Sequence, residues 1–197
     1  MPEDSLNQHS LNQNARKEAI LQKNLLQILP AGSDEKNTIW NMFQFYCYDT
    51  SVYDGYDVEA DGKYKMCADY FAQYWQLPRW SAFILKVDGA LAGFALIEPS
   101  DVVAEAQELA DLFIMRRFRR LGIARRVVEY FMAQRDIPWT VTTFDDAPDA
   151  TAFWQQMFRL PQFQVIETLP DPDGRDATVH LLAANQGIAP DGNVVCK

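Results

Sequence analysis

The densest chemistry in this 197-residue chain lies in one run, Leu112-Phe113-Ile114-Met115-Arg116-Arg117-Phe118-Arg119-Arg120-Leu121-Gly122-Ile123-Ala124. Apolar residues give way to a short basic loop, and the loop opens an amphipathic stretch with helical spacing. Gly122 and Ala124 fall in its first turn, where small side chains let a ligand reach the backbone. The N–H groups of a first turn have no partner inside the helix, and the helix dipole is positive there. With Arg119 and Arg120 alongside, such a turn suits an anion, and a pyrophosphate in particular. The same residues also make an ordinary helix entry on a solvated basic loop, and the short pattern alone does not separate the two. It lacks the Gly-Lys-Ser/Thr ending of a P-loop and the first two glycines of a dinucleotide fingerprint.

Other chemistry is sparse. His9 and His180 are the only histidines, so no triad or histidine metal cluster can be assembled. Cys47, Cys67 and Cys196 are widely spaced, odd in number and form no CxxC, which fits a reducing cytoplasm and no zinc. The stretch Tyr48–Tyr64 concentrates Asp49, Tyr53, Asp54, Tyr56, Asp57, Glu59 and Asp61. Carboxylates among aromatic rings suit an ammonium ion, and equally a solvated acidic loop. Asp57-x-Glu59-x-Asp61-Gly62 begins like a calcium loop, but its twelfth position is Ala68, so calcium is rejected.

The elements that must position these residues follow from periodicity and punctuation. Strands are predicted over 24–29, 82–87, 90–97, 108–115, 139–144, 162–168 and 178–184, and helices over 34–48, 63–75, 121–134 and 148–157. Ser33 is the expected cap of the first helix, and Asp88-Gly89 the turn of a tight hairpin. The order predicts an α/β (α+β) domain: a mixed, mainly antiparallel sheet of about seven strands with helices on both faces. The strands flanking the 121–134 helix should form its parallel pair. Residues 1–22 read as a flexible lead-in, 23–184 as the domain and 185–197 as a loose tail. Apolar residues at 48% can fill a core. A net charge of −9 and a pI of 4.7 disfavour nucleic acid as a partner. The N-terminus has no secretory pattern and no apolar run spans a bilayer, so no membrane role is expected.

On these residues the chain resembles the GNAT (Gcn5-related N-acetyltransferase) superfamily. Arg119-x-x-Gly122-x-Ala124 resembles its motif A, Gln/Arg-x-x-Gly-x-Gly/Ala, and Leu112-Phe113-Ile114 resembles the strand that precedes it. Ala150-x-x-Phe153-Trp154 resembles motif B, and the resemblance covers roughly residues 23–184. It implies an acetyl-CoA-dependent N-acetyltransferase, transferring acetyl directly to a primary amine in a ternary complex, with acetyl-CoA as co-substrate and no metal. The fourth and fifth strands would splay, often at a bulge, so that pantetheine lies between them. Phe113 and Ile114 would offer backbone groups to it, the N–H groups of Arg119, Arg120, Leu121, Gly122, Ile123 and Ala124 would hold the pyrophosphate, and Trp154 would pack beside the cofactor or in the core. Asp111 is the first candidate for general base, since relatives often place a carboxylate there; Asp145 and Asp146 come second and also read as turn residues. The 48–64 stretch would fall where the family builds its acceptor site. Motif B departs at Ala147, where Asn is usual, and at Trp154, where Tyr is usual and protonates the leaving thiolate. These departures keep open an acyl-CoA-binding sensor or scaffold with little turnover. The acceptor, a small molecule or a protein amine, is not readable, because it is set by variable loops. A homodimer is compatible with the family.

Overall fold

The computed structural model describes residues 25–133 and 137–183, together with the backbone of Val194 and Val195. Its strands are β1 (Leu26–Pro30), β2 (Ser81–Val87), β3 (Ala90–Pro99), β4 (Gln107–Ile114), β5 (Trp139–Phe144), β6 (Val165–Pro170), β7 (Ala177–Leu182) and β8 (Val194–Val195). The helices are α1 (Lys36–Asp54), α2 (Ala68–Gln76), α3 (Ile123–Ala133) and α4 (Pro148–Met157). The strands form one sheet in the order β6-β7-β5-β4-β3-β2-β1-β8. β4 and β5, which flank α3, are parallel as expected, and so are β1 and β8; the other neighbours are antiparallel.

Alternation along the central strands gives the sheet two apolar faces. On one face Leu85, Ala95, Ile97 and Val141 pack with Ile123, Val127, Val128 and Phe131 of α3 and with Trp154 and Met157 of α4. On the other, Ile84, Phe94, Leu96 and Phe113 pack with Ile39 and Met42 of α1 and Phe71 and Tyr74 of α2. Full burial of a side chain such as Phe94, with no exposed surface, contributes about 2 kcal/mol or more. Two helices therefore cover each face.

Local structure departs from expectation in instructive places. Helix α1 runs six residues past its predicted end at Tyr48, to Asp54. Gly55 stops it with φ 63°, its N–H bonded to the Ser51 carbonyl at 3.2 Å. The acidic, tyrosine-rich composition read as loop, yet much of it is helix. Ser33 is not the cap: a 3-10 turn over Ser33–Glu35 begins at Gly32, whose N–H donates to Glu35 Oε2 at 3.2 Å. Helix α2 starts at Ala68 rather than Lys63. The connection before it is pinned to α1, where Gln44 Oε1 accepts from Tyr64 N–H at 2.8 Å and Gln44 Nε2 donates to the Tyr64 carbonyl at 3.1 Å. The hairpin turn forms as expected, Asp88 and Gly89 having φ 50° and 80°.

The segment expected to be a loose tail contributes β8, in parallel register with Leu26 and Gln27. The sheet thus has eight strands, one more than expected. The lead-in, with His9, and Cys196 lie outside the described residues.

Candidate active site

The sheet is incomplete at its centre. β4 and β5 are paired only through Gln107↔Trp139 and Glu108↔Thr140. Beyond them β4 continues along β3 as far as Ile114, and β5 along β7 as far as Phe144. Their inner edges face a wedge-shaped gap from Leu109 and Val141 onward. The register between β3 and β4 slips at the same level: Ile97 pairs with Leu109, but Leu96 pairs with Asp111, leaving Ala110 as a bulge. The bulge reverses the alternation, so Leu109 joins the α3 face while Phe113 joins the α1 face. Asp111, two residues before Phe113, is thereby carried to the α1 face as well.

Past the bulge, Met115 N–H donates to the Ala92 carbonyl at 2.8 Å, which fixes which backbone groups face β3. By alternation Phe113 also faces β3, while Leu112 and Ile114 turn their N–H and C=O to the gap. Gly93 makes this packing possible, because a Cβ there would lie 1.9 Å from the Phe113 carbonyl oxygen. Of the two residues expected to offer backbone groups, Ile114 therefore faces the gap and Phe113 faces the neighbouring strand.

The wide end of the gap meets the basic loop. A 3-10 turn over Arg116–Phe118 leads into it; Arg120 and Gly122 take φ 63° and 72°, and α3 begins at Ile123. The first helical bond is from Arg126 N–H to the Gly122 carbonyl, at 3.1 Å. Among the described residues no backbone acceptor pairs with the loop N–H groups of Arg120, Leu121 and Gly122. The N–H groups of Ile123, Ala124 and Arg125 open α3 and have no intrahelical partner. This array can hold an anion beside an extended chain in the gap. The Ile123 side chain is buried in the core and Leu121 packs partly against it, so only their backbones are available.

Arg119, expected to offer its N–H to the phosphate, is committed elsewhere, its N–H donating to the Arg116 carbonyl at 3.2 Å. Its Nε donates to the Ile114 carbonyl at 2.7 Å, Nη2 to Asp49 Oδ2, and its guanidinium lies 5.7 Å from the centre of the Phe113 ring. Arg116 donates to Asp49 Oδ1 through Nε at 3.1 Å and Nη2 at 2.7 Å. Burial pushes the Asp49 carboxyl up, but the bonds from Arg119 and Arg116 more than offset it and hold it below its ordinary value.

On the α1 face of the gap stands a row of carboxylates served by hydroxyls. Glu98 Oε2 accepts from Tyr74 at 2.5 Å and from Tyr70 at 2.7 Å. Its cross-strand partner Glu108 accepts from Thr142 at 2.8 Å and Thr140 at 3.2 Å, spanning the root of the gap. Like charges directly opposite on a sheet are unfavourable, and both carboxyls are pushed up, chiefly by burial. Asp111 completes the row. Burial raises its carboxyl to about 7; a hydrogen bond from Tyr46 works against the rise, and Glu98, Glu108 and Asp54 add to it. The Tyr46 phenol is raised well above its ordinary value, mainly by Asp111, and stays protonated. Its ring is fixed edge-on to Phe94 and Phe113.

Several expected residues lie apart from this wall. Asp145 and Asp146 are exposed in the turn after β5, where Asp145 N–H bonds the Asp176 carbonyl at 3.0 Å. Asp57, Glu59 and Asp61 are exposed on the loop. Trp154 is 8% exposed and packed in the core between Phe153 and Phe158. Ala147 precedes α4 without a side-chain cap. His180 shares a 2.9 Å hydrogen bond with Thr143 and packs on Phe158; burial lowers its imidazole. Glu98, Glu108, Tyr46, Tyr70 and Tyr74 were not singled out from sequence. The one available signal was a lone Glu at the end of the otherwise apolar β3 and a second Glu in β4, three residues before Asp111. Among the described residues no group of three or more side chains could hold a metal, and no helix is long and apolar enough to cross a membrane.

A mixed sheet split between parallel neighbours, with a basic loop and helix start at the wide end, defines a class of acyl-transfer fold. The family model of the GNAT acetyltransferases matches residues 47–158, and the chain belongs to that family. Solved structures agree in fold. An acetyltransferase from Thermus thermophilus superposes with a TM-score of 0.59 at 18% identity, over 79% of this chain and 95% of that one. The ribosomal-protein-S18-alanine N-acetyltransferase of Escherichia coli gives 0.55 at 18% identity, over 83% and 96%. The yncA protein of Salmonella typhimurium, solved with its cofactor acetyl-CoA, gives 0.54 at 14%, over 86% and 99%. A search of curated proteins finds no match.

Proposed function

We propose that the protein transfers an acetyl group from acetyl-CoA to a primary amine, with both substrates bound together and Asp111 as the general base. The observation that carries this reading is the placement of Asp111: its carboxyl is raised to about 7 and lies on the strand that borders the gap. A base is most useful when its pKa is close to the working pH. The residues present fit the donor. The unpaired N–H groups from Arg120 to Arg125 suit a pyrophosphate, and the gap-facing groups of Leu112 and Ile114 suit an amide-bearing arm. Acetyl-CoA supplies the activated acyl carbon. The acidic wall of Glu98, Glu108 and Asp111 attracts an ammonium and holds it near the gap. Asp111 takes one proton from the ammonium and passes it to solvent. As the carbon–nitrogen bond forms and the carbon–sulfur bond breaks, the second proton leaves with the thiol. Much of the rate comes from orientation.

A second reading, an acyl-CoA-binding protein with little turnover, is favoured by the burial of Trp154 in the core, since no phenol stands there to protonate the thiolate. Titration calorimetry with acetyl-CoA and CoA tests the donor site, and release of free thiol across a panel of amines separates the two readings. Micromolar binding with amine-dependent thiol release is expected. Binding without release from any amine would favour the second reading, and no binding by folded protein would reject both. Gly122→Glu, which places a bulky anion in the loop, is expected to abolish binding while the fold persists.

A further inference from the structure

Among the residues that touch neither the gap nor the loop N–H groups, Asp49 has the most specific geometry. It sits in the second half of α1, its side chain 15% exposed, and divides its two oxygens between Arg116, the first residue of the 3-10 turn, and Arg119, which follows the turn. Arg116 takes Oδ1 and Arg119 takes Oδ2. The other end of the Arg119 fork bonds the Ile114 carbonyl at 2.7 Å, at the mouth of the gap. The guanidinium also lies against Phe113, which packs on α1 through Tyr46. A continuous path thus runs from α1 through Asp49 and Arg119 to the last residue of β4. No other carboxylate is within ion-pair distance of either arginine among the described residues.

We infer that Asp49 is a positioning residue for the acyl donor: it anchors Arg119, and through Arg119 it sets the mouth of the gap and the entry angle of the phosphate-binding loop. This rests on the donor site proposed above. Free, the Arg119 side chain would have many rotamers, and the turn would lose the ion pairs of Arg116 and Arg119 that tie it to α1, leaving the packing of Met115. Asp49 also neutralises two cations beside an anion site, so its removal raises the local positive potential. A purely electrostatic role would therefore make its loss tighten donor binding, whereas an anchoring role makes its loss weaken it. The two have opposite signs.

The test is calorimetry of acetyl-CoA with the full chain and with Asp49→Ala, Arg119→Met and the double variant. Anchoring through Arg119 is expected to raise Kd about tenfold in each single variant, with the double variant no weaker than Arg119→Met alone. Asp49→Glu should recover part of the affinity. If Asp49→Ala fails to fold, Asp49→Asn removes the charge at nearly constant shape and is read the same way. An unchanged or tighter Kd in a folded Asp49 variant overturns the inference but leaves the donor site standing. Additive losses in the double variant also overturn it, because Asp49 would then act by another route. Absence of acetyl-CoA binding by the unaltered protein overturns both.

Discussion

At the scale of single residues, the proposed function rests on one carboxyl held in an unfavourable place. Asp111 is largely removed from water and feels three further carboxylates, Glu98, Glu108 and Asp54, with the Tyr46 phenol in its favour. If it is the base, kcat/KM should rise with pH through about 7 as Asp111 loses its proton. Asp111→Asn should lower turnover about a hundredfold while leaving the acetyl-CoA Kd near normal. The same substitution removes a poorly solvated charge. At pH 8 it should therefore stabilise the fold by about 2 kcal/mol, seen as a higher Tm. A variant with lower activity and lower Tm would point to a structural role instead. Asp111 was legible in the sequence only through the family resemblance, which placed a carboxylate on the strand before the loop. Its neighbours were not legible. Glu98 and Glu108 meet across a strand register, and Asp49 reaches Arg119 over 70 residues of chain. Periodicity assigns a residue to a strand, but it does not say which residue stands opposite.

At the scale of elements, β4, which borders the gap, and β3 behind it are both irregular. The Ala110 bulge turns β4, and a second slip, between Leu85 and Lys86, lies opposite Leu91 and Gly93 in β3. Gly93 allows β3 to approach the Phe113 carbonyl. Gly93→Ala should push the end of β4 away, costing about 3 kcal/mol and weakening acetyl-CoA binding more than tenfold, since Leu112 to Ile114 would move with it. A variant with unchanged Tm and Kd would show that β4 yields freely. Element order, the parallel pair and the Asp88-Gly89 turn were all readable from local signals. The end of α1 was not: Asp49, Tyr53 and Asp54 suggest a loop by composition, but the helix carries them on to Asp54, where Gly55 stops it.

At the scale of the whole molecule, its carboxyls divide into two groups with opposite effects on stability. Asp111, Glu98 and Glu108 are raised by burial. The folded protein holds their protons more tightly than the unfolded chain, so stability falls as pH climbs from about 4 through 7. Asp171, held down by its bonds to Arg175, and Asp49, held down by its two arginines, act the other way. Their contribution is present above the ordinary carboxyl range and is lost as pH falls through and below it. His180, lowered by burial, adds a smaller gain up to its ordinary value of 6.5. Together these place the expected maximum of Tm near pH 4 to 5, where the lowered carboxyls are ionised and the raised ones still hold their protons. Thermal melts from pH 3 to 9 measure it, and a Tm still rising at pH 8 would mean that the acidic wall is solvated.

The split in the sheet should also be visible in time. Successive amides along β4 have different fates: Phe113 N–H faces β3, while Leu112 and Ile114 N–H face the gap. Hydrogen–deuterium exchange of the ligand-free protein should therefore alternate along this strand, slow at Phe113 and Met115 and faster by orders of magnitude at Leu112 and Ile114. A bound donor that completes the sheet would erase the alternation, so a short stretch of backbone would report occupancy before any acceptor is known.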